Sequence, residues 1–376
     1  MKALRRERRL SSQRMRCRPS IRTAEKHRTD ASHRGPPHPG RKGASTVNAT
    51  PRIARTLEEL STAISQCMGE AEAHNIARAQ AEQERQQRDQ LRRSEAQGSS
   101  EGRDVVAAPR VPTLGFVPTM GALHEGHATL IRRAREQNDV VAVSIYVNPL
   151  QFGPDEDYDR YPRTLDQDLE MLTRLGVEVV FLPDDQTMHP GGEPLVRVSA
   201  GRLGEVFEGA MRPGHFDGVL TVVNKLFNLV ISSAGAHRVR AYFGQKDAQQ
   251  VTLVRRMVAD FALPIVIVPV AIVREEDGLA LSSRNQYLTA EQRKTALVLS
   301  RTLALLREEG LTRGYEGIDL DAARHRIEER DGVELDYLEI VDPLTFEAPS
   351  ETSDRAMAMA AIRIGQTRLL DNMDVL

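Results

Sequence analysis

Hydrophobic positions beyond Pro109 follow two alternating periodicities. Short β-branched runs, Leu114 to Val117, Val140 to Val147, Val177 to Leu182 and Ile265 to Val270, have the length of buried strands. Between them, Leu123 to Gln137, Leu165 to Leu175, Val219 to Val230 and Asp247 to Asp260 read as amphipathic helices, and another strand ends at Ala241-Tyr242-Phe243. This alternation predicts βαβ units on a parallel sheet, with ligands at the carboxyl ends of the strands. After Arg274 the pattern turns helical, over Ala290 to Glu309 and Leu320 to Glu329, and then reaches the apolar run Leu335 to Val341. The expected fold is α/β: a Rossmann-like parallel-sheet nucleotide-binding domain over residues 46–272 and a smaller C-terminal α+β lid domain over 273–376. No internal repeat is visible.

Ahead of the first strand, Leu57 to about Arg93 is rich in helix formers, but its apolar stripe stops at Met68. The remainder reads as an exposed helix. Gln97-Gly98-Ser99-Ser100-Glu101-Gly102 breaks it, so residues 66–104 read as a polar insertion that interrupts the first strand–helix unit.

A chain of 376 residues, 40% hydrophobic and 28% charged, is long enough for two domains with buried cores. No apolar run reaches the roughly 18 residues of a membrane span, so no membrane association is expected. Cys17 and Cys67 belong to no ligand-spaced cluster, which argues against a disulfide framework or structural zinc and for a reducing cytoplasm. The net charge of -2 conceals an asymmetry: residues 1–45 carry 14 Lys/Arg against 3 Asp/Glu, leaving 37 basic (51 less 14) and 50 acidic (53 less 3) residues in the body. The arm reads as a basic disordered extension, with an anionic surface, nucleic acid or a transit role as alternatives. The acidic body makes nucleic acid an improbable main partner.

Candidate chemistry concentrates in Pro118-Thr119-Met120-Gly121-Ala122-Leu123-His124-Glu125-Gly126-His127, which follows a strand and opens a helix. Free N–H groups and the dipole at a helix start favour phosphate, and Gly121 and Gly126 permit close approach of a nucleotide. His124 and His127, three residues apart, fall on one helical face within reach of the α- and β-phosphates. Donors placed where charge develops stabilise attack on the α-phosphorus and loss of pyrophosphate, which is adenylyl transfer. The spacing is not that of a zinc peptidase, HExxH.

Lys246, after Gly244 at a loop-to-helix transition, offers a point charge to triphosphate oxygens. Asp247 is placed to cap the helix or to bind ribose or a metal-linked water. Ser282-Ser283-Arg284 lies in a polar loop after Gly278, where two hydroxyls and a guanidinium can close over a departing pyrophosphate. Gln151, read as ending a strand, and Gln250, on the first turn after Asp247, offer uncharged amides to hydroxyl and carboxylate oxygens.

The PTMGALHEGH block resembles the signature of the pantothenate synthetases, a branch of the nucleotidyltransferases with a HIGH-like motif. Val147 to Gly153, Tyr161 to Thr164, Arg212 to Phe216, Tyr242 to Gln250 and Asp277 to Asn285 are similar to further blocks of that family in the same order, and the resemblance covers about residues 46–66 and 110–376. It implies ATP-dependent condensation of (R)-pantoate with β-alanine through a pantoyl adenylate, with release of AMP and pyrophosphate. Gln151 and Gln250 are implied at pantoate, with Pro118, Thr119 and Asn148 completing the pocket for the two acids. Met120, Gly121, Ala122, Leu123, His124, Glu125, Gly126 and His127, then Gly244, Gln245, Lys246 and Asp247, and finally Val273, Leu281, Ser282, Ser283 and Arg284 are implied at ATP. His124, His127, Lys246, Ser282, Ser283 and Arg284 carry the catalytic roles. Leu281 stands where the family commonly has methionine.

Mg2+ is expected with ATP, because it neutralises charge developing on the phosphates. Asp168, beside Asp166 at a helix start that favours acids in any case, is the candidate ligand. The resemblance further implies a homodimer formed through the nucleotide-binding domain. A HIGH-type enzyme acting on a phosphate acceptor would need more Arg or Lys than Gln151 and Gln250 supply, and a tRNA synthetase would need a basic region after the lid.

Overall fold

The computed structural model describes residues 50–97, 109–154, 156, 158–350 and 353–376; the basic arm and the end of the polar insertion lie outside the described residues. Strands β1 (Arg52–Ala54), β2 (Thr113–Thr119), β3 (Val140–Ile145), β4 (Val179–Phe181), β5 (Arg238–Gly244) and β6 (Ile265–Val270) form one sheet in the order β1-β4-β3-β2-β5-β6, and every pairing in it is parallel. The path runs from β2 outward through β3 and β4, then returns to the other side of β2 with β5. The switch point therefore lies at the carboxyl ends of β2 and β5, where open α/β sheets hold their ligands.

The strands are apolar on both faces because helices cover both. One face packs Phe116 and Ala142 against Leu60, Ile64 and Met68 of α1 (Leu57–Gln97), and also buries α6 (His215–Ala234) and α7 (Ala248–Asp260) through Phe227 and Val254. The other packs Val117, Val143 and Tyr242 against Ile131 of α2 (Glu125–Gln137) and Leu172 of α3 (Leu165–Arg174). Two single-turn helices, α4 (Asp185–Met188) and α5 (Glu208–Met211), stand in the longer connections.

The first helix continues through the polar segment as far as Gln97, where the sequence places its break. α1 runs unbroken for 41 residues; Leu60, Ala63, Ile64, Cys67 and Met68 are buried, and from Gly69 to Gln90 it is exposed except for a half-buried row at Ala71, Asn75 and Ala79. Its Ala-, Gln-, Glu- and Arg-rich sequence sustains a helix without an apolar face. The short edge strand β1 was not among the sequence expectations.

The C-terminal part carries α8 (Ala290–Arg313), α9 (Leu320–Glu328) and an antiparallel sheet of β7 (Val333–Val341), β8 (Met357–Ile364) and β9 (Thr367–Asp374). Leu299, Leu303, Leu306, Ile327, Leu338 and Ile362 form its own core. A second, smaller cluster joins it to the parallel-sheet part: Val341, Phe346, Met357 and Met359 pack with Leu203, Phe207 and Ala248. No helix among the described residues is long and apolar enough to cross a membrane.

Candidate active site

β2 delivers the chain to the switch point and Gly121 and Ala122 turn it, with φ of 84° and 50°. The second value is strained for a residue with a Cβ and needs support from its surroundings. Asp168 supplies it. This buried carboxylate accepts hydrogen bonds from the Ala122 amide (3.0 Å), the Leu123 amide (2.8 Å) and the Thr164 hydroxyl (3.1 Å). Both of its oxygens accept hydrogen bonds, and through them Asp168 anchors the loop. Among the described residues no group of three or more His, Cys, Asp or Glu could hold a metal ion.

His124 is the N-cap of α2 and His127 its third residue, and the two complete a reciprocal capping box. His124 Nδ1 accepts from the Gly126 amide (3.1 Å) and His127 Nδ1 accepts from the His124 amide (3.3 Å). An imidazole whose Nδ1 is an acceptor carries its proton on Nε2, so both rings are neutral Nε2–H donors. Burial disfavours protonation of His127, and the adjacent His124 adds to this, bringing its pKa down to about 3. Burial also lowers the pKa of His124, followed by the charge of Lys246. The rings lie 4.2 Å apart.

Lys246 and Asp247 arrive from β5 on the short 3-10 turn Gln245–Asp247. The ammonium meets the Asp247 carboxylate at 3.4 Å, and Asp247 makes no side-chain cap bond to α7, so its capping role from sequence does not hold. The C-terminal sheet fixes this turn: Asn372 Nδ2 donates to the backbone oxygens of Gln245 and Lys246, both at 2.9 Å. Gly244 lies at the end of β5 itself.

The polar loop of the C-terminal part faces the same region. The Leu281 amide donates to the Val273 carbonyl (2.9 Å), and a Cβ built on Gly126 would lie 3.7 Å from Leu281 Cδ2, so Leu281 covers the HEGH turn. Ser282 caps the following turn, Ser283–Tyr287, through its hydroxyl. Lys246, Ser282, Arg284, Asn285 and Arg368 line one recess. Burial opposes ionisation of Glu156 but Arg212 outweighs it, Lys246 likewise lowers the pKa of Asp247, and the charge of Arg284 adds to both.

Gln151 lies on the 3-10 turn Pro149–Gln151 beyond β3, not at the end of a strand as the sequence suggested. Its amide is buried: Nε2 donates to Met120 Sδ (2.8 Å) and Oε1 accepts from Asn148 Nδ2 (3.3 Å). Asn148 Nδ2 also donates to the Gly218 carbonyl (3.2 Å), while Thr119 Oγ1 bonds the Ser144 carbonyl (2.7 Å) behind Pro118. Gln250 is half-buried on the first turn of α7. Glu125 departs from the group, because its carboxylate pairs with Arg132 on the outer surface of α2.

Three residues escaped the assignment of roles from sequence. Arg212 binds Glu156 and the Gln151 carbonyl (3.3 Å), His215 Nδ1 meets the same carbonyl at 2.7 Å, and burial, then the Arg212 charge, lowers the His215 pKa to about 4. The RPGHF block that resembles the family was the available signal. Asn285 is the third; its Nδ2 ties Glu275 (2.8 Å) to the Ala280 carbonyl (3.0 Å) and so braces the loop.

A model of the pantoate-beta-alanine ligase family matches residues 97–374. The chain belongs to that family. The pantothenate synthetase of Paenarthrobacter aurescens is 50% identical over 284 residues, which cover 73% of this chain and 96% of that protein. That of Corynebacterium glutamicum is 53% identical over 270 residues, covering 70% and 94%. The crystal structure of Thermus thermophilus pantothenate synthetase aligns with a TM-score of 0.67 at 41% identity, over 86% of this chain and 99% of that one. A Francisella tularensis pantoate-beta-alanine ligase, crystallised in complex with beta-gamma ATP and beta-alanine, aligns at 0.60 and 30% identity over 86% and 97%. Family membership thus extends over both sheets and both halves of the site. The match of the family model begins only at residue 97, although β1 and the buried turns of α1 complete the core.

Proposed function

We propose that this site adenylates pantoate with ATP and transfers the pantoyl group to β-alanine, making pantothenate, AMP and pyrophosphate. The observation that carries the reading is the pair of neutral Nε2–H donors that the capping box creates at the start of α2, beside Lys246 from β5. ATP lies with its α- and β-phosphates at these donors and Lys246, and Leu281 packs near the HEGH turn. A pantoate carboxylate oxygen, oriented by Gln151 and Gln250, attacks the α-phosphorus. The new P–O bond forms as the bond to the β-phosphate oxygen breaks, and charge moves onto pyrophosphate, where Lys246 and Arg284 receive it. The neutral amine of β-alanine then attacks the acyl carbon, AMP leaves with the bonding pair, and the amine proton passes to solvent.

The Ser282–Arg284 segment acts as a lid that excludes water from the acyl adenylate. In this reading the residues of the parallel sheet, to about 272, bind substrates and the remainder forms the lid domain. Magnesium carried with ATP would neutralise the charge that develops on the phosphates. A homodimer and a cytoplasmic location complete the reading, the first from the resemblance and the second from the scarcity of cysteine.

The experiment is AMP and pyrophosphate release from ATP with D-pantoate, with and without β-alanine, with the product followed by mass spectrometry. Pantothenate that appears only with both acids is the expected outcome; turnover with another acid or a phosphate acceptor would overturn the substrate assignment. In His127→Ala, pantoate-dependent pyrophosphate exchange should fall by about 10²–10³, the usual loss for one donor at developing charge. Activity within a few-fold of wild type would remove His127 from the mechanism.

A further inference from the structure

Residues 207–216 touch two regions that the reaction needs together. Phe207 has φ of 49°, and its ring packs on Tyr337 (centroids 5.4 Å apart) and Phe346 (6.0 Å) of the C-terminal part. Glu208, its side chain 12% exposed, accepts from the Tyr337 hydroxyl (2.8 Å) and from Arg368 Nη2 (2.9 Å) and Nη1. Arg368 is also held by Asp336 and lines the recess that contains Lys246, Ser282 and Arg284. The Glu208 amide donates to Gln249 Oε1 of α7 (3.1 Å), and the Arg212 amide closes the single turn of α5 on the Glu208 carbonyl (3.0 Å), so α5 leads directly from Glu208 to Arg212. Beyond it, Arg212 and His215 converge on the carbonyl of Gln151.

We propose that α5 and its flanking residues couple docking of the C-terminal sheet to the ordering of Gln151, and that Glu208 is the positioning residue of this coupling. The inference rests on the assignment of Gln151 to pantoate. A bulky residue with positive φ is strained and keeps that conformation only where packing dictates it. The Tyr337 and Phe346 rings and the Arg368 guanidinium are that packing, and they belong to the part of the chain that carries the lid. When the C-terminal sheet is docked, α5 is held, Arg212 and His215 are aimed, and the turn bearing Gln151 is rigid. By linkage, acid binding favours docking as much as docking favours acid binding. Lid closure would then follow acid capture, and this limits loss of ATP to water.

The test uses the full chain with Glu208→Gln, which keeps the shape and removes the charge, and Tyr337→Phe, which removes one hydroxyl. Hydrogen exchange is read at the Gln151 and Phe152 amides, and the pantoate KM is measured beside it. Both variants are expected to speed exchange at these amides about tenfold and to raise the pantoate KM about tenfold, with β3 amides still protected. Unchanged exchange at Gln151 and Phe152 would overturn the coupling, even with a lower melting temperature. Should wild type release no AMP in response to pantoate while the exchange effect persists, the coupling stands and the pantoate assignment falls.

Discussion

The ionisation of two half-buried histidines gives the molecule a pH dependence whose sign follows from the structure. His127 and His215 have pKa values lowered to about 3 and about 4 from the usual 6.5. Between those values and 6.5 the unfolded chain binds protons that the native state refuses. Stability is therefore complete above pH 6.5 and falls as the pH drops below it, by up to about 1.4 kcal/mol per histidine per pH unit. Urea midpoints measured from pH 7 to pH 5, above most carboxylate titration, should decline steadily, and His127→Asn should flatten the slope by one histidine's share; an unchanged slope would mean that His127 is solvated. Asp168 offers a second test at this scale. The substitution Asp168→Asn removes charge from an acceptor of two backbone amides and should cost about 2–3 kcal/mol in urea unfolding while raising the ATP KM several-fold. If Asp168 instead bound magnesium, stability would hold and the Mg2+ concentration needed for half-maximal rate would rise. Sequence located the histidines correctly because a helix start after a strand is visible in pattern. The anchoring role of Asp168 was not legible, because an acid on the first turn of a helix looks the same whether its oxygens face a metal or a neighbouring loop.

Elements explain why the acid-binding turn is where it is. α6 passes so close to the Pro149–Gln151 turn that a Cβ on Gly218 would stand 2.0 Å from the Leu150 oxygen and 2.7 Å from the Gln151 nitrogen. The glycine is required by backbone approach, not by its own dihedral. Gly218→Ala must push the turn away by an ångström or more, with an expected destabilisation of about 1–3 kcal/mol and a pantoate KM at least tenfold higher. The ATP KM should stay near wild type, since the HEGH turn hangs from β2 instead. Equal effects on both substrates would show that the two pockets are not separately built. The sheet was legible in sequence where β-branched runs alternate with amphipathic helices, as in β3, α2 and β6. β1 was not, since three residues carry no period, and neither was β8, whose Met-Ala-Met-Ala-Ala core has little strand propensity and gains its place from α8 packed on it. The long polar reach of α1 was read as exposed, which it is, but its continuity depends on propensity and not on packing.

At the scale of the whole molecule, charge separates the body from the arm. Without residues 1–45 the formal charge moves from -2 to -13 (37 basic less 50 acidic), so non-specific affinity for long polyanions is expected to come mainly from the arm. Both halves of the site are assembled from residues 118–372, and the buried clusters among the described residues begin at Ala54. Catalysis therefore has no evident need of the arm. A chain lacking residues 1–45 should form pantothenate with kcat/KM within about twofold of the full chain and should lose retention on heparin at low salt. Full-length protein should be retained weakly and released as salt rises, since counterion release dominates such binding. A fall of tenfold or more in kcat/KM on deletion would mean that the arm reaches the site and contributes cations to ATP. Continued heparin retention after deletion would instead place a basic patch on the body, where the acidic balance argues against one.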